Sequence, residues 1–204
     1  MQGEKKRQCR ELMVDIETLS TDVNGAIAQI GAVYFSMKTG ELGDEYLINI
    51  DLDDAIKHGA TVDGRTLYWW MAQSEDARKG LTDPKPLKEL IALKEFNRFW
   101  SRATRVWSHA TFDFVILMNA MRRRNIVPQV HYRKARDIRT LTGLAGMTRE
   151  EVETTKVERA GTHHNGRDDC LYQIAYCTAA YQKLMKSGYQ DGYNDAERTY
   201  GNNN

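Results

Sequence analysis

Long apolar runs are missing from this sequence. No stretch approaches the roughly 20 apolar residues that a membrane-spanning helix needs, so no span is expected. Cysteine is scarce: Cys9, Cys170 and Cys177 offer neither a disulfide framework nor a C-x-x-C metal spacing. Cys170 and Cys177 stand seven apart in an apolar helical stretch and read as buried thiols, so a reducing, cytoplasmic setting is expected. An excess of charge of one sign is also absent. With 29 Lys and Arg against 28 Asp and Glu, the chain has no global basic signal for nucleic acid, although carboxylates gathered in one site can hide local positive patches. Such patches are Arg122-Arg123-Arg124 and the run from Arg133 to Arg139, readable as a solvated helix end and loop or as a phosphate track. The opening Glu4-Lys5-Lys6-Arg7 has no apolar stretch after it, so no secretory leader is expected.

What is present has the length of one domain and enough residues for a sizeable core. We expect a polar lead-in at 1–10, a domain at 11–187 and a polar, disordered tail at 188–204, where Gly, Asn, Asp and Tyr accumulate. Strand patterns lie at 11–17, 26–36 and 44–50, with Asn24-Gly25 and Thr39-Gly40 as turn signals, an antiparallel three-strand start. Helical spacing follows at 66–79, is broken by Asp83-Pro84-Lys85-Pro86, and resumes from Leu87 to Trp100. A short strand near 105–107, helices at 112–124 and from 137, and a last helix at 168–185 complete the pattern. The fold class is α/β: a mixed sheet flanked by helices.

The chemistry begins in Leu12-Met13-Val14-Asp15-Ile16-Glu17. Side chains alternate across a strand, so Asp15 and Glu17 point to one side. Two like charges at the end of a buried strand cost energy unless compensated, and a hard divalent cation compensates them well. The alternative is a solvent-facing acidic pair. Downstream come Phe112-Asp113 at the head of a helical run and His163-His164-Asn165-Gly166-Arg167-Asp168-Asp169 leading into another. Asp113 could equally complement the dipole of its helix.

Together Asp15, Glu17, Asp113 and a His followed five residues later by Asp resemble the DEDD (DnaQ-like) superfamily of 3′–5′ exonucleases, in its histidine-base branch. In local wording the chain is most similar to short phage and prophage exonucleases and to bacterial 3′–5′ exoribonucleases. Ile27-Ala28-Gln29-Ile30-Gly31, Thr66 to Trp70, and Arg136 to Thr140 match further patterns of those relatives, and the resemblance runs from about 11 to 186.

The resemblance implies the ribonuclease H-like fold and a two-metal hydrolysis of phosphodiesters, with Mg²⁺ or Mn²⁺ held by Asp15, Glu17, Asp113 and Asp169. It implies a general base at His164 rather than His163, because Asp169-Cys170-Leu171-Tyr172-Gln173 fits the register of relatives. The partner would be a nucleic acid with a free 3′ end, DNA or RNA; relatives include homodimers. Substrate contacts are expected at Thr18 and Leu19, the latter as an apolar wedge, at Trp70 by base stacking, and at His109. For Trp69 and Trp70, and for His109, packing and loop roles remain the alternatives. A non-catalytic nucleic-acid-binding module and a ribonuclease H-type endonuclease are the competing functions.

Overall fold

The computed structural model describes residues 9–154 and 164–200, with backbone alone at 154, 187 and 189–200. In β1 (Glu11–Thr18), Leu12, Val14 and Ile16 enter one hydrophobic cluster while Met13 enters another, so Met13, Asp15 and Glu17 share the opposite face of the strand. Every residue of β1 after Glu11 is buried, and so is all of β2 (Ile27–Phe35). Such strands are covered on both faces.

β1 pairs antiparallel with β2, and β2 with β3 (Leu42–Asn49). On the other side β1 runs parallel to β4 (Arg105–Ser108), which runs parallel to β5 (Ala135–Asp137), giving the order β3-β2-β1-β4-β5. Register places Gly31 opposite Asp15 and Gln29 opposite Glu17, with an irregularity between Glu17 and Thr18 that ends regular pairing at the acidic pair.

One face carries α4 (Glu89–Phe99) and α5 (Asp113–Arg123), packed on Leu12, Val14, Ile16, Ile30 and their neighbours. The other carries α6 (Ile138–Leu144) and the long α8 (Gly166–Tyr200), packed on Met13, Val33 and Phe35. A smaller cluster, including Leu19, Ala55, Trp70 and Ala77, lies among α1 (Leu52–Lys57), α2 (Gly64–Met71) and α3 (Glu75–Lys79). The short α7 (Arg149–Thr154) precedes the undescribed stretch.

The expected antiparallel start and mixed sheet are present; several details differ. The helical pattern at 66–79 is two helices, because Ser74 caps a new one by accepting from the Ala77 amide. Asn24-Gly25 is part of an eight-residue connection rather than a tight hairpin, with Gly25 bridged to Thr61. Cys9, assigned to the polar lead-in, is buried, and 1–8 lie outside the described residues. The helical backbone of α8 continues to Tyr200, past the end expected near residue 185.

Candidate active site

Three elements deliver four carboxylates to one place. β1 supplies Asp15 and Glu17, the first turn of α5 supplies Asp113, and the first turn of α8 supplies Asp169; all four are buried. Seating α8 this close requires glycine on both sides. A Cβ on Gly31 would lie 2.0 Å from the Gly166 carbonyl carbon, and one on Gly166 would lie 2.9 Å from the Gly31 nitrogen. The helix start therefore rests directly on β2, beside the strand that carries the acidic pair.

The ligand atoms fall into two groups, Asp15–His109–Asp113 and Glu17–His164–Asp169, in each of which they lie within 4.8 Å of one another. A divalent ion with oxygen ligands at about 2.0–2.6 Å needs donors no farther apart than about 4–5 Å, so each group fits one ion. Among the described residues no lysine or arginine forms an ion pair with Asp15, Glu17 or Asp113; the ion-pair contact to this set is His109 Nδ1 to Asp113 Oδ2 at 3.8 Å. Neutral donors do part of the work. Gln173 donates to Asp15 Oδ1 (2.7 Å), the His109 amide to Asp113 Oδ2 (2.8 Å) and the His164 amide to Asp169 Oδ2 (3.2 Å).

Without a cation the crowding shows in the acidities. Burial, then repulsion from Asp113, Glu17 and Asp169, raises Asp15 well above the usual carboxylate range. Burial, with Asp169 and Asp113 nearby, pushes Glu17 up to about 8. Burial pushes Asp113 up to about 7 despite the backbone amides it accepts. These are buried oxygens that want a positive partner, and the carboxylate-rich donor set is of the kind that could hold a hard divalent cation.

His164, a member of the second group, has φ 61°, a left-handed conformation that a side-chain-bearing residue adopts at a tight turn. Its ring meets Trp69 edge-on at 4.7 Å between centroids and Trp70 at 5.7 Å. In front of these rings opens a cleft of about 550 Å³ whose wall includes Glu17, Thr18, Arg65, Thr66, Trp69 and Phe112. Asp63 ties its two sides together: it caps α2 through the Thr66 amide (2.8 Å) and accepts the Thr21 amide (3.3 Å) from the loop after β1.

The structure brings Asp15, Glu17, Asp113, Asp169, His164 and His109 together and lines the cleft with Thr18. His109 stands by Asp113 and Asp15 rather than out along the cleft. Two expectations need correction. Leu19 is no exposed wedge: it packs in the cluster with Trp70, with its amide on Ala26 and its carbonyl on Asp63. The tryptophans also divide the opposite way. Trp70 is 3% exposed and donates its indole N–H to the Thr18 carbonyl (2.9 Å), while Trp69 is 45% exposed and offers the free ring surface. Consecutive helical positions face about 100° apart, which required the split but not its direction. His163 lies outside the described residues.

Three further residues contribute; from the sequence, Gln173 and Gln29 have no role of their own, and Asp137 reads as a helix cap or as a residue orienting an arginine, outside the metal set. Gln173 sits one helical turn beyond Asp169 and reaches Asp15. Asp137 caps α6 through the Thr140 amide and, with its other oxygen, holds the Ala110 amide beside His109. Gln29 accepts the Gly166 amide at 2.8 Å. The i+4 spacing of Gln173 from Asp169 was a readable signal; the other two depend on register between distant segments.

The mixed sheet with helices on both faces is the ribonuclease H-like arrangement of the exonucleases it matches. A family description, the 3′-5′ exoribonuclease Rv2179c-like domain, matches residues 10–181, and the chain belongs to that family. No curated protein matches it. Among solved structures, Exonuclease I from Methylocaldum szegediense matches at 15% identity over 88% of this chain, with a TM-score of 0.62. E. coli Exonuclease I in complex with a dT13 oligonucleotide matches at 16% over 90%, TM-score 0.56. This chain spans 41% and 42% of those two proteins. A 3′-exonuclease that recognises the histone mRNA stem-loop matches at 12% identity, covering 87% of this chain and 82% of its own, TM-score 0.55.

Proposed function

We propose that this protein is a metal-dependent 3′–5′ exonuclease of the histidine-base type, releasing nucleoside 5′-monophosphates from a nucleic-acid 3′ end. The observation that carries this reading is the gathering of four buried carboxylates and two imidazoles into two groups with ligand spacing. RNA is the expected preferred substrate, from the family's description as exoribonuclease; the DNA oligonucleotide bound by E. coli Exonuclease I makes DNA the comparison arm. The three cysteines are buried and form no disulfide, which fits a reducing cytoplasm. Among the described residues no helix is long and apolar enough to cross a membrane.

Asp15, Glu17, Asp113 and Asp169 would hold two divalent cations, which when bound neutralise phosphate charge, acidify a water and stabilise the leaving 3′ oxygen. The chain's own residues do the rest. His164 takes the proton from the attacking water on a ring nitrogen, with its ring set edge-on by Trp69 and Trp70 and its backbone held by Asp169. Trp69 offers its exposed face to a base, and Arg65 at the cleft lip suits a phosphate. Thr18 closes the cleft floor, its hydroxyl already given to the Ser20 carbonyl (2.8 Å).

The test is kinetic. His164→Ala is expected to lower kcat by at least about 100-fold, within the range general-base removal produces, while leaving KM within a few-fold. His163→Ala should do little. The reverse ranking would remove the base assignment.

A further inference from the structure

The start of α8 is anchored by a chain of hydrogen bonds that begins on a loop far from the carboxylates in sequence. Asp83, in the loop after α3, accepts the Lys85 amide on one oxygen (2.8 Å) and the side-chain amide of Asn49 on the other (2.6 Å). Asn49 Oδ1 accepts from Gln29 Nε2 (2.6 Å), and Gln29 Oε1 accepts the Gly166 backbone N–H (2.8 Å). Gly166 is the first residue of α8, so its amide is one of those with no partner inside the helix. His164 precedes it by two residues and Asp169 follows by three.

The chain has one direction only. An ionised carboxylate accepts and cannot donate. Asp83 therefore forces Asn49 to present its NH₂, leaving Oδ1 toward β2. That oxygen forces Gln29 to present its NH₂, leaving Oε1 toward Gly166. Gln29 is 1% exposed and opposite Glu17 in the β1–β2 register, so its amide has no solvent to turn into. Loop backbone closes over it: a Cβ on Gly80 would stand 2.8 Å from Gln29 Nε2.

We propose that Gln29 is a positioning residue for the active site, its amide orientation fixed through Asn49 by Asp83, so that a surface-loop carboxylate sets the seat of the segment bearing His164 and Asp169. The catalytic half of this proposal rests on the exonuclease reading; the seating half does not.

The test uses the full chain with three variants and two readouts: hydrogen exchange at the Gly166 amide, and kcat and KM on a 5′-labelled oligoribonucleotide in Mn²⁺. Gln29→Met removes both amide functions and is expected to speed Gly166 exchange at least tenfold and lower kcat by about 100-fold, the upper range for outer partners of a metal site, with KM within about twofold. Asp83→Asn, outside the helices and strands, removes the acceptor-only anchor and leaves the Gly166 amide alone to hold the direction, and is expected to lower kcat by about tenfold. Gln29→Glu keeps an oxygen for Gly166 but offers Asn49 Oδ1 no donor, and is expected to lower kcat by at least about tenfold with KM within about twofold, a loss that a packing role would not show for a side chain of the same shape. Unchanged Gly166 exchange in both Gln29→Met and Asp83→Asn overturns the relay, as does free exchange with parental kcat. If the parent protein cleaves nothing, the exonuclease reading fails on its own, and Gly166 exchange alone supports or overturns the relay.

Discussion

Gln173 donates its side-chain amide to Asp15 across 2.7 Å, joining the second turn of α8 to the acidic end of β1. The bond favours the ionised form of a carboxyl that burial and three neighbouring carboxylates all push toward protonation. A metal ligand must be deprotonated, so the bond also favours metal binding.

Gln173→Leu should therefore weaken Mn²⁺ binding, by about 10–100-fold if it behaves as outer partners of metal ligands generally do. Calorimetric titration at pH 7 measures this directly. An unchanged dissociation constant would show that Gln173 only fills space.

The raised acidities predict an unusual pH dependence for the metal-free protein. Glu17 rises from 4.5 to about 8, Asp113 from 3.8 to about 7, and Asp15 rises as well. Below about pH 4 these groups are protonated whether the chain is folded or not. Between there and pH 8 the unfolded chain has lost protons that the folded chain keeps, so stability falls as pH rises through that window. His109, pushed below its ordinary 6.5 mainly by burial, acts in the opposite sense, but it is one group against three. In EDTA the melting temperature should be lower at pH 8 than at pH 5.5, and Mn²⁺ should restore more of it at pH 8. A melting temperature in EDTA that rises over this interval would contradict the electrostatic picture.

The two tryptophans separate stability from turnover. Trp70→Ala should cost about 3–5 kcal/mol, as removal of a buried aromatic ring does. Trp69→Ala should cost much less stability but lower kcat/KM about tenfold, the loss of one modest base stack or of the ring's hold on His164. Chemical denaturation and steady-state kinetics on both variants check it; Trp69→Ala with parental kcat/KM would retire the stacking role.

Gly31 makes the sharpest steric prediction. A methyl group there would overlap the backbone of Gly166, and neither neighbour is a flexible side chain that could step aside. Gly31→Ala should destabilise the fold by about 1–3 kcal/mol, the usual scale of overpacking, and should displace Asp169 enough to abolish turnover. Parental activity in Gly31→Ala would mean that the seat of α8 is not the constraint described here.

Much of this was legible in the sequence, for identifiable reasons. Asp15 and Glu17 announced a shared face because strand periodicity is rigid, and the apolar residues around them announced burial. Asp113 and Asp169 were legible through their order and company rather than through any local rule. The roles of Gln29, Asn49 and Asp83 were not legible, since they depend on the β1–β2–β3 register and on where one loop comes to rest. The choice of Trp70 as the exposed ring failed because helix phase fixes the angle between neighbours but not which one the core takes. Leu19 failed for a related reason: the connection after β1 folds back over Ala26 and Asp63 instead of projecting into the cleft. The length of α8 was underread because its last turns lack the apolar period that marks a packed helix.

The most direct measurement is a time course on 5′-labelled RNA and DNA oligonucleotides, free or blocked at the 3′ end, with Mg²⁺, Mn²⁺ or EDTA, and with Asp15→Asn as control. The expected result is a one-nucleotide ladder growing from the free 3′ end, faster on RNA, lost in EDTA and lost in Asp15→Asn. Binding without cleavage, or internal cuts on 3′-blocked substrate, would contradict it.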